Sequence, residues 1–268
     1  MFTAQTSAGI DYRARPGSGP ALVLLHGIGS NADSFAELLP LLPPDRQVIA
    51  WNAPGYGASA PLGPDWPVAA DYADALEAFL DRLGIDRVTL VGHSLGTLMG
   101  AAFAAARPAR VERLLLASPA LGHGVAPGGA LSPAAQARID DLARLGPAEF
   151  ARVRAPRLVC RPEENRQLVA AVETGMSQVR SPGYDQASRM LASGRLLEDA
   201  ARLAVPTDVI VGEEDIVTPP EGARALHAAI PAQVRGRLTE VPAAGHALYT
   251  QAPLAFARAV APQATPVA

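Results

Sequence analysis

The chain has 268 residues, of which 49% are hydrophobic and 18% charged, and its formal net charge is −3. This length and apolar content predict one well-buried domain, and the small negative charge argues against a nucleic-acid partner because no excess of positive charge faces a phosphate backbone. No lysine occurs, so all 23 basic residues are arginine, which excludes Schiff-base lysines, pyridoxal phosphate attachment and the P-loop lysine.

Short apolar runs alternate with helical stretches in the first half of the chain. The runs at residues 21–25, 47–51, 88–91 and 113–117 are predicted as buried strands of a parallel sheet. Between them, residues 71–83 place apolar side chains at helical spacing, and Gly84 follows where a helix commonly ends. This succession predicts an α/β domain with helices on both faces of the sheet.

The strand pattern disappears between residues 122 and 203. A helix start is indicated at Ser132-Pro133 and a helical stretch over 163–179. Strand character returns at 207–211 and 237–241, and a last helix is expected from Pro253. We therefore expect a core domain formed by residues 1–121 and 204–268, interrupted by a helical insertion at 122–203.

The most specific motif is the pentapeptide GHSLG at residues 92–96, between the predicted strand 88–91 and a predicted helix at 97–106. A serine at such a sharp strand-to-helix turn presents its hydroxyl above the sheet, and the helix N-terminus favours developing negative charge. The alternative is a glycine-rich turn with an ordinary capping serine. The flanking strand and helix favour Ser94 as a nucleophile.

A serine hydroxyl is a weak nucleophile, so it requires a general base and an acid that orients the base. His246 is the favoured base because its loop follows the last predicted strand and can reach the carboxyl edge of the sheet; a loop histidine bonded to backbone is the alternative. The other four histidines are less suited: His26 lies in a different turn and His93 in the serine motif itself. His123 begins the insertion, and His227 lies in a predicted helix.

The loop after strand 207–211 is the favoured source of the acid. It contains Glu213, Glu214 and Asp215, and their chemistry alone does not choose among them. The loop after strand 113–117 is the other place from which an acid could reach the same histidine, and it contains no carboxylate.

Acyl transfer also needs donors for an oxyanion. The backbone amide of Leu95, directly after the serine, is the first expected donor. The second is expected in the loop at residues 26–29, where glycines allow the backbone to approach a ligand; we favour the amide of Ile28, followed by Gly27. A purely structural turn is the alternative.

Taken together, the motifs resemble those of the α/β-hydrolase superfamily. They occur in the family's order: His26-Gly27, the turn at 54–59, the Ser94 motif, the loop 212–219 and Gly245-His246. The resemblance implies an α/β-hydrolase fold with a mostly parallel central sheet, identifies the helical insertion with the family's cap, and selects Asp215 as the acid from the Gly-x-x-Asp pattern.

Within this superfamily the chain is similar to bacterial hydrolases grouped with 3-oxoadipate enol-lactonases, and more distantly to meta-cleavage product hydrolases. Two positions depart from these groups. Asn52 replaces the aspartate that usually precedes the Pro-Gly-x-Gly turn, and Ala247 replaces a tryptophan that often follows the histidine in meta-cleavage hydrolases.

These observations predict a cofactor-free serine hydrolase, a carboxylesterase or lactonase, that acts on a small-molecule ester or lactone through an acyl-enzyme. Carbon–carbon bond hydrolysis of the meta-cleavage type and metal-free perhydrolysis use the same triad and remain alternatives, as does a non-catalytic ligand-binding scaffold. Ser94 argues against epoxide hydrolases and haloalkane dehalogenases, because resemblance to those branches would require aspartate at this position, and the absence of lysine excludes a lysine-assisted hydroxynitrile lyase.

The insertion supplies most of the predicted substrate contacts. Six residues are expected to line the pocket, with core packing as the alternative for the larger ones: Gly29, Ser30, Phe150, Met176, Tyr184 and Met190. Four arginines occur without an acidic residue among them and either hold a substrate carboxylate or form a solvated helix face: Arg152, Arg154, Arg157 and Arg161.

Cys160 is the only cysteine. A single cysteine cannot form an intramolecular disulfide or a cysteine-based metal cluster. We expect no metal site and no cofactor. We predict neither a signal peptide nor a membrane span, and the expected location is cytoplasmic. No oligomeric state is predicted.

Overall fold

A computed structural model describes residues 2–261 of the chain. Within this range the backbone forms one eight-stranded sheet, whose strands are β1 (Thr3–Ser7), β2 (Ile10–Arg15), β3 (Gly19–Leu25), β4 (Arg46–Trp51), β5 (Val88–His93), β6 (Val111–Ala117), β7 (Thr207–Gly212) and β8 (Arg235–Val241). The strand order is β1-β2-β4-β3-β5-β6-β7-β8. The α/β-hydrolase fold class predicted from the motifs is confirmed.

The sheet is parallel from β4 to β8, and an antiparallel pair extends it at one edge. Strand β2 pairs antiparallel with β4, in the register Tyr12 to Trp51, and β1 pairs antiparallel with β2. All six predicted strands are present, within two residues at each end. The sequence analysis did not identify β1 and β2, because β1 is polar and exposed and β2 interrupts its apolar residues with arginines.

The helices are α1 (Ala69–Arg82), α2 (Leu95–Ala106), α3 (Pro133–Arg154), α4 (Arg166–Met176), α5 (Gly183–Ser193), α6 (Leu196–Ala200), α7 (Pro220–Ala229), α8 (Leu248–Gln251) and α9 (Pro253–Val260). Short 3-10 turns occur at Ala32–Phe35, Leu39–Leu41, Pro108–Arg110 and Ala155–Leu158. None of the helices in residues 2–261 is both long and apolar enough to cross a membrane.

Helix α2 lies directly behind the serine turn and is buried along most of its length. It packs against β5, β6, α1 and α6, and its many alanine and glycine residues allow these close approaches. Helix α1 instead buries one face, through residues such as Tyr72, Leu76 and Phe79. The serine turn is therefore fixed between a buried strand and a buried helix.

Helices α3, α4, α5 and α6 all lie between β6 and β7, inside the segment predicted as the insertion. The predicted helix start is correct: Ser132 precedes α3 and its hydroxyl accepts a hydrogen bond of 3.2 Å from the amide of Ala135. Helix α3 is kinked at Gly146-Pro147. The division into a core domain and a cap at 122–203 stays a prediction, and residues 262–268 of its second core segment lie outside the described residues.

The carboxyl ends of β3, β5, β7 and β8 open at the same edge of the sheet, because these strands run parallel. The loops that follow them contain the predicted oxyanion residues, Ser94, the carboxylate cluster and His246. This edge is where open α/β sheets place their ligand sites.

Candidate active site

Ser94 occupies a strained turn between β5 and α2. Its backbone angles are φ +52° and ψ −115°, which side-chain-bearing residues rarely adopt. The turn is tight because the backbone of α2 passes the end of β3: a Cβ on Gly96 would lie 2.3 Å from the carbonyl oxygen of Leu25. The amide of Ser94 donates to the carbonyl of Ala117 at 2.9 Å, which ties the turn to β6.

The structure brings the three predicted catalytic residues into one hydrogen-bonded chain. The Nε2 atom of His246 lies 2.9 Å from Ser94 Oγ, and its Nδ1 atom lies 2.8 Å from Asp215 Oδ2. All three side chains are buried. The carboxylate can only accept, so Nδ1 carries the proton and Nε2 is left to accept from the serine hydroxyl.

Asp215 is held by the residues that follow it. Its Oδ1 accepts from the amides of Val217 at 2.9 Å and Thr218 at 2.8 Å, and its Oδ2 accepts from the Thr218 hydroxyl at 2.9 Å. Burial raises the pKa of Asp215, but the charge and hydrogen bond of His246 and the Thr218 bonds outweigh it, so the pKa lies below its ordinary value. The carboxylate is therefore ionised beside the imidazole.

The neighbouring glutamates point elsewhere. Glu214 lies 3.6 Å from the guanidinium of Arg161 and accepts a hydrogen bond of 2.9 Å from the Cys160 thiol. Glu213 lies with Asp215 at a separate surface depression outside the serine cavity. Within the described residues, Asp215 is thus the carboxylate of this loop that contacts His246.

His93 and His26 are buried histidines with structural contacts. His93 Nε2 donates to the backbone carbonyl of His246 at 2.8 Å, and burial together with the nearby His246 lowers the pKa of His93 to about 3. His26 Nδ1 donates to the carbonyl of Gly27, its Nε2 accepts from the amide of Ala53 at 3.0 Å, and burial lowers the pKa of His26 to about 4. Both are neutral at pH 7 and connect loops of the site.

The remaining two histidines also lie away from the serine hydroxyl. His227 bonds the carbonyl of Gly236 at 2.9 Å on the far side of α7. His123 is exposed and lines the rim of the cavity described below.

The predicted oxyanion loop lies against the serine. A Cβ on Gly27 would lie 3.0 Å from Ser94 Cβ, a contact so tight that one of the two groups would have to shift by a few tenths of an ångström. The loop is fixed by a hydrogen bond of 3.1 Å from the Ser30 amide to the Gly27 carbonyl and by one of 2.8 Å from the Tyr56 hydroxyl to the Ile28 carbonyl. Within residues 2–261 the amides of Ile28 and Leu95 have no hydrogen-bond acceptor.

Asn52, which departs from the aspartate of related enzymes, is paired with a carboxylate from another strand. Its Nδ2 donates to Asp11 Oδ2 at 2.6 Å, and its Oδ1 accepts from the amide of Ala32 at 2.8 Å. Asp11 Oδ2 also accepts from the amide of Ala58 at 3.2 Å. The carboxylate that supports the turn at 54–59 is therefore supplied by β2 rather than by position 52.

A cavity of about 310 Å³ opens above Ser94. It is lined by the predicted pocket residues Gly29, Ser30, Phe150, Met176 and Tyr184, together with Gly27 and Ile28. Met190 is fully buried and does not line the cavity, so for this residue core packing is correct. The rings of Phe150 and Tyr184 meet edge to face at 5.3 Å. The floor of the cavity comes from the sheet edge and the roof from the insertion.

The four arginines of the insertion divide into two pairs. Arg154 and Arg157 line the cavity. Arg152 pairs with Glu149 on the surface and Arg161 with Glu214, and neither lines the cavity. A role for the cluster in holding a substrate carboxylate stays a prediction.

A model of the family described as the alpha/beta hydrolase fold matches residues 20–253 of the chain. The chain belongs to this family. The assignment agrees with the sheet order and with the motif order from which the resemblance was drawn.

Three relatives illustrate what this α/β-hydrolase is similar to. An uncharacterized protein of Mycobacterium tuberculosis is 43% identical over 102 residues, and this match spans 38% of the chain but only 30% of the relative. RutD of Cronobacter turicensis, a proposed carbamate hydrolase, is 27% identical over 248 residues, with 90% of this chain and 89% of the relative covered. The solved enol-lactonase of Burkholderia xenovorans LB400 has a TM-score of 0.81 at 24% identity, with 96% of this chain and 98% of that chain covered.

Within residues 2–261, no group of three or more His, Cys, Asp or Glu side chains is arranged to hold a metal ion. Sequence reasoning missed three contributors to the α/β-hydrolase site. Thr218 supports Asp215, while Arg138 and Tyr249 line the cavity. Thr218 carried a usable signal, since an aspartate often bonds a hydroxyl and an amide three residues later; Arg138 carried none.

Proposed function

We propose that the protein is a cofactor-free serine hydrolase that cleaves a carboxylic ester or a lactone. The observation that supports this best is the buried hydrogen-bonded chain from Ser94 Oγ through His246 to Asp215, with distances of 2.9 and 2.8 Å. Two backbone amides that have no acceptor within residues 2–261 are those of Ile28, in the loop beside Ser94, and of Leu95, the next residue; we assign them the second requirement of acyl transfer.

In the first step, Ser94 Oγ attacks the carbonyl carbon of the ester while His246 Nε2 takes the hydroxyl proton. The carbonyl oxygen becomes an oxyanion, which accepts hydrogen bonds from the amides of Ile28 and Leu95. Asp215 holds the ring and stabilises the imidazolium that forms. The rigid Ser94 turn and the buried Asp215 keep these groups in place before the substrate arrives.

Collapse of the tetrahedral intermediate breaks the bond to the alcohol oxygen, which receives the proton from His246. The acyl group remains on Ser94. A water molecule then gives a proton to His246 and attacks the acyl carbon, and the second collapse returns the proton to Ser94 and releases the carboxylic acid. In a lactone the two products stay joined as one hydroxy acid or its keto form.

The helical insertion at 122–203 is proposed as a cap, since it supplies Phe150, Met176 and Tyr184 to the cavity. Such a roof limits the acyl chain and excludes water from the reacting centre. The cytoplasmic location expected from the sequence stays a prediction.

The test is hydrolysis of p-nitrophenyl esters from acetate to decanoate, of small lactones and of a phenyl carbamate, by wild type, Ser94→Ala and Ser118→Ala. Ser118 is a matched control because it is also buried at a strand end with a positive φ, and its hydroxyl has no partner among the described residues. We expect Ser94→Ala to lower kcat by about 10³-fold or more and Ser118→Ala to leave it within about threefold.

Labelling with a fluorophosphonate provides a second readout of the same proposal. Wild type and Ser118→Ala should react at residue 94, and Ser94→Ala should not. A folded wild type that turns over no ester, lactone or carbamate and takes no label would refute serine hydrolysis. Turnover that survives in Ser94→Ala would refute the assigned nucleophile.

A further inference from the structure

The loop that carries His246 is hydrogen-bonded on both sides of the histidine. The amide of Ala247, the next residue, donates to the carbonyl of Leu158 in the insertion at 2.8 Å. The amide of Gly245, the preceding residue, donates to the side chain of Gln251 in α8 at 2.9 Å. The backbone of His246 therefore lies between two anchored residues.

Gln251 joins this histidine loop to the insertion through three hydrogen bonds of its side-chain amide. Its Oε1 accepts from the amides of Gly245 and Cys160, each at 2.9 Å. Its Nε2 donates to the carbonyl of Cys160 at 3.0 Å. The oxygen thus uses both of its lone pairs. Because one atom accepts from both segments, the Gln251 side chain fixes the distance between them.

The two backbones are in direct contact beside the histidine. A Cβ on Gly245 would lie 2.7 Å from the amide nitrogen of Cys160 and 3.0 Å from the carbonyl oxygen of Leu158, so a side chain here would force one of the two backbones to shift. Leu158 also lines the serine cavity. Residues 158–160 of the insertion and the histidine loop therefore form one packed unit at the wall of the cavity.

The place of this loop sets the geometry of the whole hydrogen-bonded chain. His246 must meet two partners at once, Ser94 Oγ at 2.9 Å and Asp215 Oδ2 at 2.8 Å. A shift of the loop backbone changes both distances together, because the imidazole moves with its Cα. A misplacement of about 1 Å can lower a catalysed rate by about 100-fold.

From these contacts we infer that Gln251 is a positioning residue for His246, and that it acts by fixing the histidine loop to residues 158–160 of the insertion. This inference rests on the proposed serine hydrolysis. Gln251 does not line the cavity, so it acts on the histidine and makes no contact with the substrate. Its side chain is only half-buried, so its replacement opens no cavity in the core.

Two variants of Gln251 and one control test this role. Gln251→Met keeps the length of the side chain and removes the three hydrogen bonds. Gln251→Glu keeps an oxygen that accepts from the amides of Gly245 and Cys160, while the Cys160 carbonyl retains its hydrogen bond of 2.9 Å from Asn165. Thr250→Val is the matched control, because Thr250 is the adjacent residue of α8, is also half-buried and does not line the cavity.

The first readout is the split between kcat and KM on the p-nitrophenyl ester that wild type hydrolyses fastest. We expect Gln251→Met to lower kcat by about 10- to 100-fold and to change KM by less than about threefold. Gln251→Glu should restore kcat to within about threefold of wild type, and Thr250→Val should match wild type. An unchanged kcat in Gln251→Met, or a loss confined to KM, would overturn the inference.

The second readout observes the histidine directly and requires no turnover. The Nδ1 proton of His246, bonded to Asp215, should give a downfield proton NMR resonance that is absent in Asp215→Asn. We expect this resonance to shift or broaden in Gln251→Met and to stay unchanged in Thr250→Val. An unchanged resonance in Gln251→Met would also overturn the inference.

Together the two readouts distinguish the inference from the proposed function. Absence of Ser94-dependent turnover, with the His246 resonance altered in Gln251→Met, would refute the proposed function alone. Ser94-dependent turnover with wild-type kcat and an unaltered resonance in Gln251→Met would refute the positioning role alone.

Discussion

The backbone of Ser94 predicts that glycine is a better residue than alanine for stability at this position. At φ +52° and ψ −115° a Cβ atom is strained, and such conformations cost about 1–3 kcal/mol. The mirror image of these angles lies in the ordinary extended region, which glycine adopts freely on either side. Ser94→Gly removes this strain, whereas Ser94→Ala retains it.

The two variants otherwise lose the same interaction, the 2.9 Å hydrogen bond between Ser94 Oγ and His246. The stability gained by relieving this strain is partly offset, because glycine makes the unfolded chain more flexible, which costs about 0.5–1 kcal/mol on folding. The remaining difference is about 0–2.5 kcal/mol, with a central value of about 1 kcal/mol, in favour of Ser94→Gly. For a chain of this size, 1 kcal/mol corresponds to a shift in Tm of about 2–4 °C.

The difference is measured by reversible urea unfolding of Ser94→Gly and Ser94→Ala, followed by fluorescence and circular dichroism. Ala170→Gly is the control, because residue 170 is an exposed helical position in α4 where glycine should lower the free energy of unfolding by about 1 kcal/mol. The strain argument therefore requires that glycine is more stabilising than alanine at position 94 and less stabilising than alanine at position 170. If Ser94→Gly is no more stable than Ser94→Ala, the strain argument is wrong.

Three further predictions concern charge. Asp215→Asn should lower kcat by about 10³–10⁴-fold because the imidazole loses the acceptor that orients it. Glu214→Gln should change ester turnover by less than about twofold, and similar losses in the two variants would contradict the assignment of Asp215 as the acid. The pKa of His26 is about 4 in the folded protein and near 6.5 in the unfolded chain, so between these pH values the unfolded state binds more protons. The free energy of unfolding should therefore fall as the pH decreases from about 6.5 to 4, by up to about 1.4 kcal/mol per pH unit. Urea unfolding at several pH values should show a weaker dependence of this free energy on pH in His26→Gln. Asn52→Asp places a second carboxylate at the 2.6 Å contact with Asp11 and should lower the free energy of unfolding by about 1–3 kcal/mol at pH 8. Adding Asp11→Asn should restore this stability, and a double-mutant cycle without such recovery would contradict the pairing.

Much of the fold and the triad geometry could be predicted because the information is local. The six parallel strands are apolar runs, and the GHSLG turn is recognisable from five adjacent residues with a strand before it and a helix after it. The selection of Asp215 required the family pattern, because adjacent residues do not show which of the three carboxylates turns toward His246 and meets the amides of Val217 and Thr218.

The roof of the cavity could not be predicted in the same way. Whether an arginine of α3 faces the cavity or solvent depends on how the kinked helix docks over the sheet, which is a tertiary property. Arg152 and Arg154 are two residues apart in the sequence, yet the first pairs with Glu149 on the surface and the second lines the cavity. The edge strands β1 and β2 were missed because pairing makes them part of the sheet, β2 with β4 and β1 with β2, rather than an apolar composition of their own.

The contact between Asp11 and Asn52 links the outer edge of the sheet to the loops around Ser94. Asp11 lies in β2, and through Asn52 it reaches the amide of Ala32, two residues beyond Ser30 in the loop after β3. Local opening of the hairpin formed by β1 and β2 would break this relay, so the Ala32 and Ala58 amides should exchange with deuterium together with the hairpin amides as one cooperative unit. Strands β1 and β2 thus contribute to the rigidity of the site around Ser94, although they place no side chain in its cavity.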